Sequence, residues 1–198
     1  MNTIHPTAVV DPGAIIGTGN YIGPFCYIGP KVRLGDMNHL EAYVALGTAG
    51  QYRDKESRGM VVIGRGNVFR EHSQVHCAMD GVTRIENDGY FMANAHIAHD
   101  CCIENRVTMC NNATLGGETY IMKGATLGFG AIVHQGQVVG SCAMLGMGAI
   151  VPKSVDIEPG NIYAGNPARL IGPNEVGLKR YPIELGYEIE RYDRLRRP

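Results

Sequence analysis

Branched aliphatic residues recur at every sixth position in the first part of the chain. The series is Ile4, Val10, Ile16, Ile22, Ile28, Leu34, Leu40 and Leu46. An α-helix repeats its apolar face about every 3.6 residues and a strand every two, so neither element gives this period. A period of six predicts short strands that each end in a corner, and small residues at a second phase, such as Ala8, Ala14 and Cys26, fit it. Stacked repeats of this kind form a solenoid, here a parallel β-helix.

The repeat is interrupted and then resumes. Residues 50–59 have the sequence GQYRDKESRG, a polar segment with five charged side chains that does not fit the coil. We therefore expect an ejected loop near residues 50–60. The repeat returns at Ile63, slips by four residues near 79–84, and runs unbroken from Ile85 to Tyr163. If three hexads form one coil, this predicts about eight coils stacked over ~40 Å.

The repeat ends after Gly165–Asn166–Pro167–Ala168. Residues 1–168 are therefore predicted to form the β-helix domain, and residues 169–198 a short C-terminal helical tail. In the tail, the apolar residues that follow Pro182 have helical spacing. They are Ile183, Leu185, Ile189, Tyr192 and Leu195, and the basic residues at the end are Arg194, Arg196 and Arg197. The predicted fold class is all-β with a short helical tail.

Composition narrows the possible functions. The 198 residues carry a formal net charge of −1, which gives no electrostatic basis for binding nucleic acid. The 27 glycines, four phenylalanines and absence of tryptophan suit many corners around an aliphatic core. The six cysteines contain no CxxC pair, and no apolar run reaches the roughly 18 residues of a membrane span. We expect a cytoplasmic protein with reduced thiols and no transmembrane segment.

Counting along the unbroken repeat predicts which side chains share a face. Residues 18 apart lie one coil above each other. Three aliphatic residues stack in this way, namely Ile97, Leu115 and Val133. His99, Glu118 and His134 follow them at phases that point outward. The pattern therefore predicts a surface column of these three side chains, with Gly117 beside Glu118.

His99 has the chemistry of a general base, because Asp100 directly follows it. A general base needs an imidazole that a carboxylate orients, because the unperturbed pKa of histidine lies near working pH. Asn94 and Asn112 are 18 apart, which predicts a structural amide ladder rather than a binding site. The repeat assigns no role to His76. Surface exposure accounts for His5, His39 and His72.

Four segments resemble one enzyme family. They are NAHIAHD (Asn94–Asp100), NNATLGG (Asn111–Gly117), VHQ (Val133–Gln135) and GLKR (Gly177–Arg180). Together with the opening IHPTAVVDPGA, they resemble the UDP-N-acetylglucosamine acyltransferases that begin lipid A synthesis. The resemblance implies a left-handed parallel β-helix assembled as a homotrimer, with active sites in the clefts between subunits. It also implies an acyl-carrier-protein thioester and a UDP-sugar as substrates, with no cofactor and no metal.

The resemblance implies roles for single residues. His99 would deprotonate the 3-hydroxyl of the sugar for attack on the thioester, Asp100 would orient His99, and the N–H of Gly117 would bind the oxyanion. Met147 would border the acyl tail, at a position where glycine accompanies longer chains, so we expect a medium or short 3-hydroxyacyl group. The residues expected to bind the sugar nucleotide are His96, His134, Gln135, Gln51, Asn174, Arg180 and Glu118.

The chain departs from the family pattern at several places. Glu118 stands where the family has histidine, Pro167 where it has another histidine, and Val176 where it often has glutamate. The large C-terminal helical extension, which presents basic residues to the acyl carrier protein in the family, is reduced to a short tail. These departures concern mainly one part of the prediction, the identification of the acyl-carrier-protein thioester as the acyl donor.

Three other functions are compatible with the pattern. GNPAR (Gly165–Arg169) resembles the coil ending of acetyl-CoA-dependent hexapeptide acetyltransferases, which favours acetyl transfer to a sugar as the first alternative. A zinc enzyme that resembles γ-carbonic anhydrases would use His96, His99 and His134 at a subunit interface. A non-catalytic scaffold would carry a degraded site, whereas His99, Asp100 and Gly117 are intact.

Overall fold

Short parallel strands build three faces of a prism, and each coil contributes one strand to each face. The computed structural model describes residues 1–196, so Arg197 of the predicted basic helix end lies outside the described residues. The first face consists of β1 (Thr3–Ile4), β4 (Tyr21–Ile22), β7 (His39–Leu40), β10 (Val68–Phe69), β13 (Tyr90–Phe91), β16 (Thr108–Met109), β19 (Thr126–Leu127), β22 (Met144–Leu145), β24 (Asn161–Ala164) and β25 (Arg169–Pro173). The last of these, β25, is antiparallel to β24.

The other two faces contain only parallel pairs. The second consists of β2 (Val9–Val10), β5 (Tyr27–Ile28), β8 (Ala45–Thr48), β11 (Gln74–His76), β14 (His96–Ile97), β17 (Thr114–Leu115), β20 (Ile132–Val133) and β23 (Ile150–Val151). The third consists of β3 (Ile15–Ile16), β6 (Val32–Leu34), β9 (Met60–Ile63), β12 (Val82–Ile85), β15 (Cys102–Ile103), β18 (Tyr120–Ile121) and β21 (Val138–Val139). A bridge from Val139 to Ile157 extends it by one coil.

The strand register confirms the period and both of its interruptions. Above β13, paired residues are 18 apart, as for Tyr90 and Thr108. His39 instead pairs with Val68, eleven residues beyond the usual 18, because the ejected loop lies between β8 and β9. Val68 pairs with Tyr90, four residues beyond the usual spacing, which is the predicted slip. The strands make eight full coils, as predicted, and β24 begins a ninth.

The six-residue repeat determines which side chains enter the core and which residues form the corners. The aliphatic residues at the sixth-position phase point inward, and Ile22, Leu40 and Leu127 are fully buried. At the corners, non-glycine residues adopt left-handed backbone conformations, with φ near 60° at Asn94 and Asn112. Asparagine accepts this conformation more readily than most residues. These two asparagines therefore serve exposed corners, which differs from the amide ladder expected for them.

A buried amide ladder does exist, lower on the prism. The Nδ2 of Asn38 donates to Oδ1 of Asn20 over 3.2 Å, and the Nδ2 of Asn67 donates to Oδ1 of Asn38 over 3.0 Å. All three amides are buried. Because each also donates to a backbone carbonyl, the ladder satisfies polar groups at the corner between the third and first faces.

Two helices follow the last coil. They are α1 (Glu175–Arg180) and α2 (Leu185–Arg196), and α2 is the helix that the spacing after Pro182 predicts. Tyr192 of α2 is buried against Met122 and Val138. Glu188, 1% exposed, lies 2.6 Å from Nζ of Lys123 and accepts a hydrogen bond from the hydroxyl of Ser141. A buried carboxylate with such partners fixes the helix against the prism. Neither α1 nor α2, nor any other helix within residues 1–196, is long and apolar enough to cross a membrane.

Candidate active site

His99 and Asp100 form a hydrogen-bonded pair at the corner after β14. Nδ1 of His99 lies 2.8 Å from Oδ2 of Asp100. The same Oδ2 accepts the backbone N–H of Met79 at 3.0 Å, and the N–H of Asp100 donates to Oγ1 of Thr83 at 2.8 Å. The coil below thus holds the carboxylate of Asp100 through Met79 and the backbone of Asp100 through Thr83. Since a carboxylate accepts from Nδ1–H, Nε2 is left with the free lone pair that a general base needs.

Gly117 completes this corner on the next coil. A Cβ on Gly117 would lie 2.6 Å from Nε2 of His99, so any side chain there would displace the imidazole. The carbonyl of Gly117 accepts the N–H of Gly136, whereas its N–H has no acceptor within residues 1–196. An unpaired N–H beside the nitrogen of a base is suited to binding an oxyanion.

The observed register refines the predicted column. Residues 18 apart place Gly117 above His99 and Gln135 above Gly117, while Glu118 lies above Asp100. Asp100 and Glu118 share the left-handed corner conformation, with φ of 58° and 60°. The three residues predicted to form a column therefore do not lie directly above one another. They occupy neighbouring positions at this corner on successive coils, because His99, Glu118 and His134 follow their stacked aliphatic residues by two, three and one positions.

Glu118 and His134 both contact Gln135. Nε2 of Gln135 donates to Oε1 of Glu118 at 3.2 Å, and Nδ1 of His134 lies 2.9 Å from the carbonyl of Gln135. All three side chains are exposed. Glu118, which stands where the family has histidine, thus orients a residue expected to bind the sugar nucleotide.

His96 lies on the outward side of β14, the strand that leads into this corner. Its ring is half-buried and meets the ring of His76 edge-on, with centroids 4.7 Å apart and planes at 87°. Burial lowers the pKa of His96 and, together with the charges of His96 and His99, lowers the pKa of His76 to about 4. Both rings are therefore neutral at pH 7, as hydrogen-bonding or packing groups.

The ejected loop, residues 49–59, covers His99. The ring of Tyr52 approaches the imidazole at a centroid distance of 5.8 Å and an angle of 68°. The N–H of Gly50 donates to Oγ of Ser57 at 2.6 Å, and Nζ of Lys31 donates to the carbonyl of Ser57 at 2.9 Å. As a result the side chain of His99 is only 8% exposed in one chain, whereas the repeat alone predicts an open surface.

A cavity of about 340 Å³ lies between this loop and the corner. Its lining residues are Tyr52, Lys55, Met79, Asp80, Asp100 and Glu118. Gln51 is exposed on the same loop. The loop brings Tyr52 against His99, a contact that sequence reasoning missed. The expected role of Gln51 in binding the sugar nucleotide stays a prediction. The polar composition of the loop predicts that it leaves the coil, but not that it folds back over His99.

Asn174 has a structural task. It is 6% exposed, and it is the N-cap of α1, where Oδ1 accepts the N–H of Gly177 at 3.0 Å. Its Nδ2 donates to the carbonyl of Cys142 at 2.8 Å. Because both ends of the amide are engaged within the chain, the geometry does not favour the expected role of Asn174 in gripping the nucleotide.

Arg180 and Met147 lie away from His99 within one chain. Arg180 is exposed at the end of α1, with its guanidinium 5.6 Å from the ring centroid of Tyr181. Met147 is 77% exposed in the turn between β22 and β23, on the corner between the first and second faces. His99 occupies the corner between the second and third faces. The structure thus places Met147 on a different corner from His99.

Within residues 1–196 of one chain, no group of three or more His, Cys, Asp or Glu side chains is arranged to hold a metal ion. All six cysteines are free. The groups that meet at the corner are an imidazole, the carboxylate that orients it and an unpaired backbone N–H.

Two solved structures superpose on nearly the whole chain. The UDP-N-acetylglucosamine acyltransferase from Campylobacter jejuni matches with a TM-score of 0.80 and 28% identity, over 98% of this chain and 82% of that one. The corresponding enzyme of Francisella novicida matches with a TM-score of 0.82 and 29% identity, over 96% and 79% of the two chains. No protein-family model matches the sequence. The coil and the histidine–carboxylate corner define a hexapeptide-repeat acyltransferase.

Sequence relatives narrow this class. The acyl-[acyl-carrier-protein]–UDP-N-acetylglucosamine O-acyltransferase of Syntrophobacter fumaroxidans is 38% identical over 203 residues, which cover 90% of this chain and 77% of that protein. The relative from Caulobacter vibrioides is 52% identical over 129 residues, 64% of this chain and 48% of that protein. The chain belongs to the acyl-[acyl-carrier-protein]–UDP-N-acetylglucosamine O-acyltransferase family, and its coil is the left-handed parallel β-helix.

Proposed function

We propose that the protein transfers a 3-hydroxyacyl group from an acyl-carrier-protein thioester to the 3-hydroxyl of UDP-N-acetylglucosamine, the first step of lipid A synthesis. The observation that carries this proposal is the corner formed by His99, Asp100 and Gly117, in a chain that belongs to this family. Acyl transfer to an alcohol needs a base, a partner for the protonated base and an oxyanion donor, and the corner offers one of each.

The reaction follows from these positions. Nε2 of His99 removes the proton of the 3-hydroxyl while the oxygen attacks the thioester carbonyl carbon. Asp100 stabilises the resulting imidazolium through Nδ1–H. The N–H of Gly117 stabilises the tetrahedral oxyanion. When the C–S bond breaks, the imidazolium returns its proton to the departing sulfur, which releases the ester and the free thiol of the acyl carrier protein.

The substrate is held by groups around this corner. In this proposal His96, His134 and Gln135 bind the sugar and its phosphates, and the hydrogen bond from Gln135 to Glu118 supports it by fixing the amide. Gln51 and Tyr52 close the site from the ejected loop. The cavity of about 340 Å³ beside Asp100 is of a size that holds part of a sugar nucleotide.

A homotrimer completes the site in this proposal. Arg180 and Met147 are exposed and lie away from His99 in one chain, so a neighbouring subunit supplies them to the cleft. Exposed apolar side chains on and beside the second face support an interface there. They include Val9, Phe129, Ile132 and Met147, which are 60%, 49%, 44% and 77% exposed. Met147 then borders the acyl tail and favours a medium or short chain.

The proposed chemistry calls for no cofactor or metal ion beyond the donor thioester. The acyl carrier protein is the proposed partner, since the relatives are named for that donor. The six free cysteines are consistent with a reducing compartment, and we propose the cytoplasm.

A donor-competition assay tests the function. The purified protein is offered UDP-N-acetylglucosamine with 3-hydroxyacyl-acyl-carrier-protein or with acetyl-CoA, and the acylated sugar nucleotide is quantified. We expect turnover with the carrier-protein thioester only, since the relatives are named for that donor. Turnover with acetyl-CoA alone would establish the acetyltransferase alternative instead. A His99→Ala variant is the control for adventitious acylation.

A further inference from the structure

His76 is a buried histidine that the proposed reaction does not use. It is the last residue of β11, one coil below β14, and is 3% exposed. Its Nδ1 is buried and has no hydrogen-bond partner in the described part of the chain. Buried polar atoms are nearly always paired, so an unpaired imidazole nitrogen next to a candidate active site needs a reason.

The local backbone presents His76 to this site. In the register of β11 with β8, Val75 pairs with Leu46 but His76 pairs with Thr48, so one residue is skipped between them. The irregularity occurs where the chain leaves β8 for the ejected loop. It brings the ring of His76 edge-on against the ring of His96, with centroids 4.7 Å apart.

We propose that His76 is a positioning residue, whose ring holds the imidazole of His96 edge-on in the orientation that contacts the acceptor sugar. This inference rests on the proposed function, because it assigns His96 to the acceptor. The supporting geometry is the 87° angle between the two rings and the burial of His76. Edge-to-face contact is a favourable arrangement for two flat rings.

The unpaired Nδ1 indicates which property of His76 matters. Since this nitrogen makes no hydrogen bond within residues 1–196, the flat ring rather than its polarity acts on His96. A neutral ring is also required, and His76 meets this requirement because burial and the neighbouring imidazoles depress its pKa to about 4. Phenylalanine keeps a flat neutral ring, whereas leucine keeps a similar volume without one.

Steady-state kinetics with UDP-N-acetylglucosamine as the varied substrate test the proposal. We expect His76→Leu to raise the KM for the acceptor by about two- to tenfold with kcat nearly unchanged, the range expected from losing one edge-to-face contact. His76→Phe should keep KM within about twofold. His39→Leu is the matched control, because His39 stacks on Tyr21 at 4.5 Å away from the site. A normal KM in His76→Leu would overturn the proposal.

A double-mutant cycle tests whether His76 changes the KM for the acceptor through His96. If His76 acts through His96, then His76→Leu should change KM little further in a His96→Ala background. Fully additive effects on KM would contradict the proposal. Thermal unfolding of each variant separates loss of fold from loss of positioning. If His76→Phe does not fold, His76→Leu and the cycle still decide the question.

A spectroscopic readout keeps this inference separate from the proposed function. In protein with isotope-labelled histidine and no substrate, the ring signals of His96 should shift in His76→Leu, because the ring current and contact of the neighbour are lost, and should stay closer to the parent in His76→Phe. If the parent protein is inactive but its His76→Leu variant shows these shifts, the proposed reaction is wrong and the contact between the two rings is still supported. Unshifted His96 signals in an active His76→Leu variant would reject the positioning role alone.

Discussion

The imidazole of His99 occupies the space in which Gly117 would carry a side chain. A Cβ at Gly117 would lie 2.6 Å from Nε2 of His99, although the two residues are 18 apart in sequence. The base and the residue that carries the proposed oxyanion donor are therefore close neighbours on adjacent coils. Their separation depends on the coil spacing of about 4.8 Å, which backbone hydrogen bonds hold constant.

Gly117→Ala tests this contact. The backbone of Gly117 is not in the left-handed region, so alanine should fold normally. We expect kcat/KM to fall by about a hundredfold or more, because the methyl group displaces the base and crowds the oxyanion. Gly81→Ala is the control, since a Cβ there meets only Oδ1 of Asp100, at 3.9 Å. Near-parental activity in Gly117→Ala would exclude the proposed geometry.

His99→Ala should lower turnover by at least the ~10²–10⁴-fold that general acid–base catalysis supplies. The reason is that no other described imidazole is paired with a carboxylate at this corner. The measurement is initial rate with saturating acyl-carrier-protein thioester. Activity within a few-fold of the parent would remove His99 from the mechanism.

Asp100→Asn isolates the charge of the carboxylate. A single oxygen of Asp100, Oδ2, accepts from both Met79 N–H and His99, so the carbonyl oxygen of asparagine can take over both bonds and preserve the tautomer of His99. Asparagine also tolerates the φ of 58°. We expect kcat to fall about ten- to hundredfold, because the imidazolium loses its counter-charge. The measurement is initial rate with saturating acyl-carrier-protein thioester, and a rate within a few-fold of the parent would contradict this account.

Stability should depend on the protonation of His76. Its pKa of about 4 in the folded chain lies below the value of 6.5 that an unperturbed histidine has. The unfolded state therefore binds more protons between these values. The stabilisation is complete above about pH 6.5 and is lost as the pH falls towards 4, a change on the order of 3 kcal/mol. Urea unfolding at fixed chain concentration should show a smaller slope of unfolding free energy against pH over this window in His76→Phe. Equal slopes in parent and variant would show that His76 titrates normally.

Met147→Gly should relax the choice of acyl chain. Met147 is 77% exposed in one chain, and in the proposed trimer its side chain blocks the far end of the acyl groove. Two extra methylenes contribute about 1.6 kcal/mol, or roughly fifteen-fold in binding. The measurement is relative turnover on a ladder of acyl-carrier-protein thioesters. A profile that does not move towards longer chains would place Met147 outside the groove.

The coil was predictable because its pattern is local and repetitive. Each inward aliphatic residue, such as Ile97 or Leu115, is specified by its own hexad, and pairing at 18 residues follows without long-range information. The interruption near residue 50 was equally visible, because a polar segment cannot continue a buried repeat. Even the position of α2 follows from Pro182 and the spacing after it.

The details of the site depend on contacts that a period does not contain. The loop folds back over His99 through Tyr52, and nothing in its composition gives that direction. The packing of His76 against His96 requires a skipped pairing in β11. Asn174 matches a binding motif in sequence, yet its amide caps α1, because the chain turns there into a helix that the pattern did not predict.

The eleven-residue insertion has a consequence for how the specificity of this protein can change. The pair His39 and Val68 joins the coils below and above the inserted loop as if it were absent. Since each coil contacts only its neighbours, the strand pairing of the prism does not depend on the sequence or length of the loop inserted at that corner. The loop that carries Gln51 and Tyr52 can thus be replaced without changing the coil. If the corresponding segment of a relative is grafted between Thr48 and Met60, the chimera should adopt that relative's preference for the acceptor, while His99 and Asp100 stay in place.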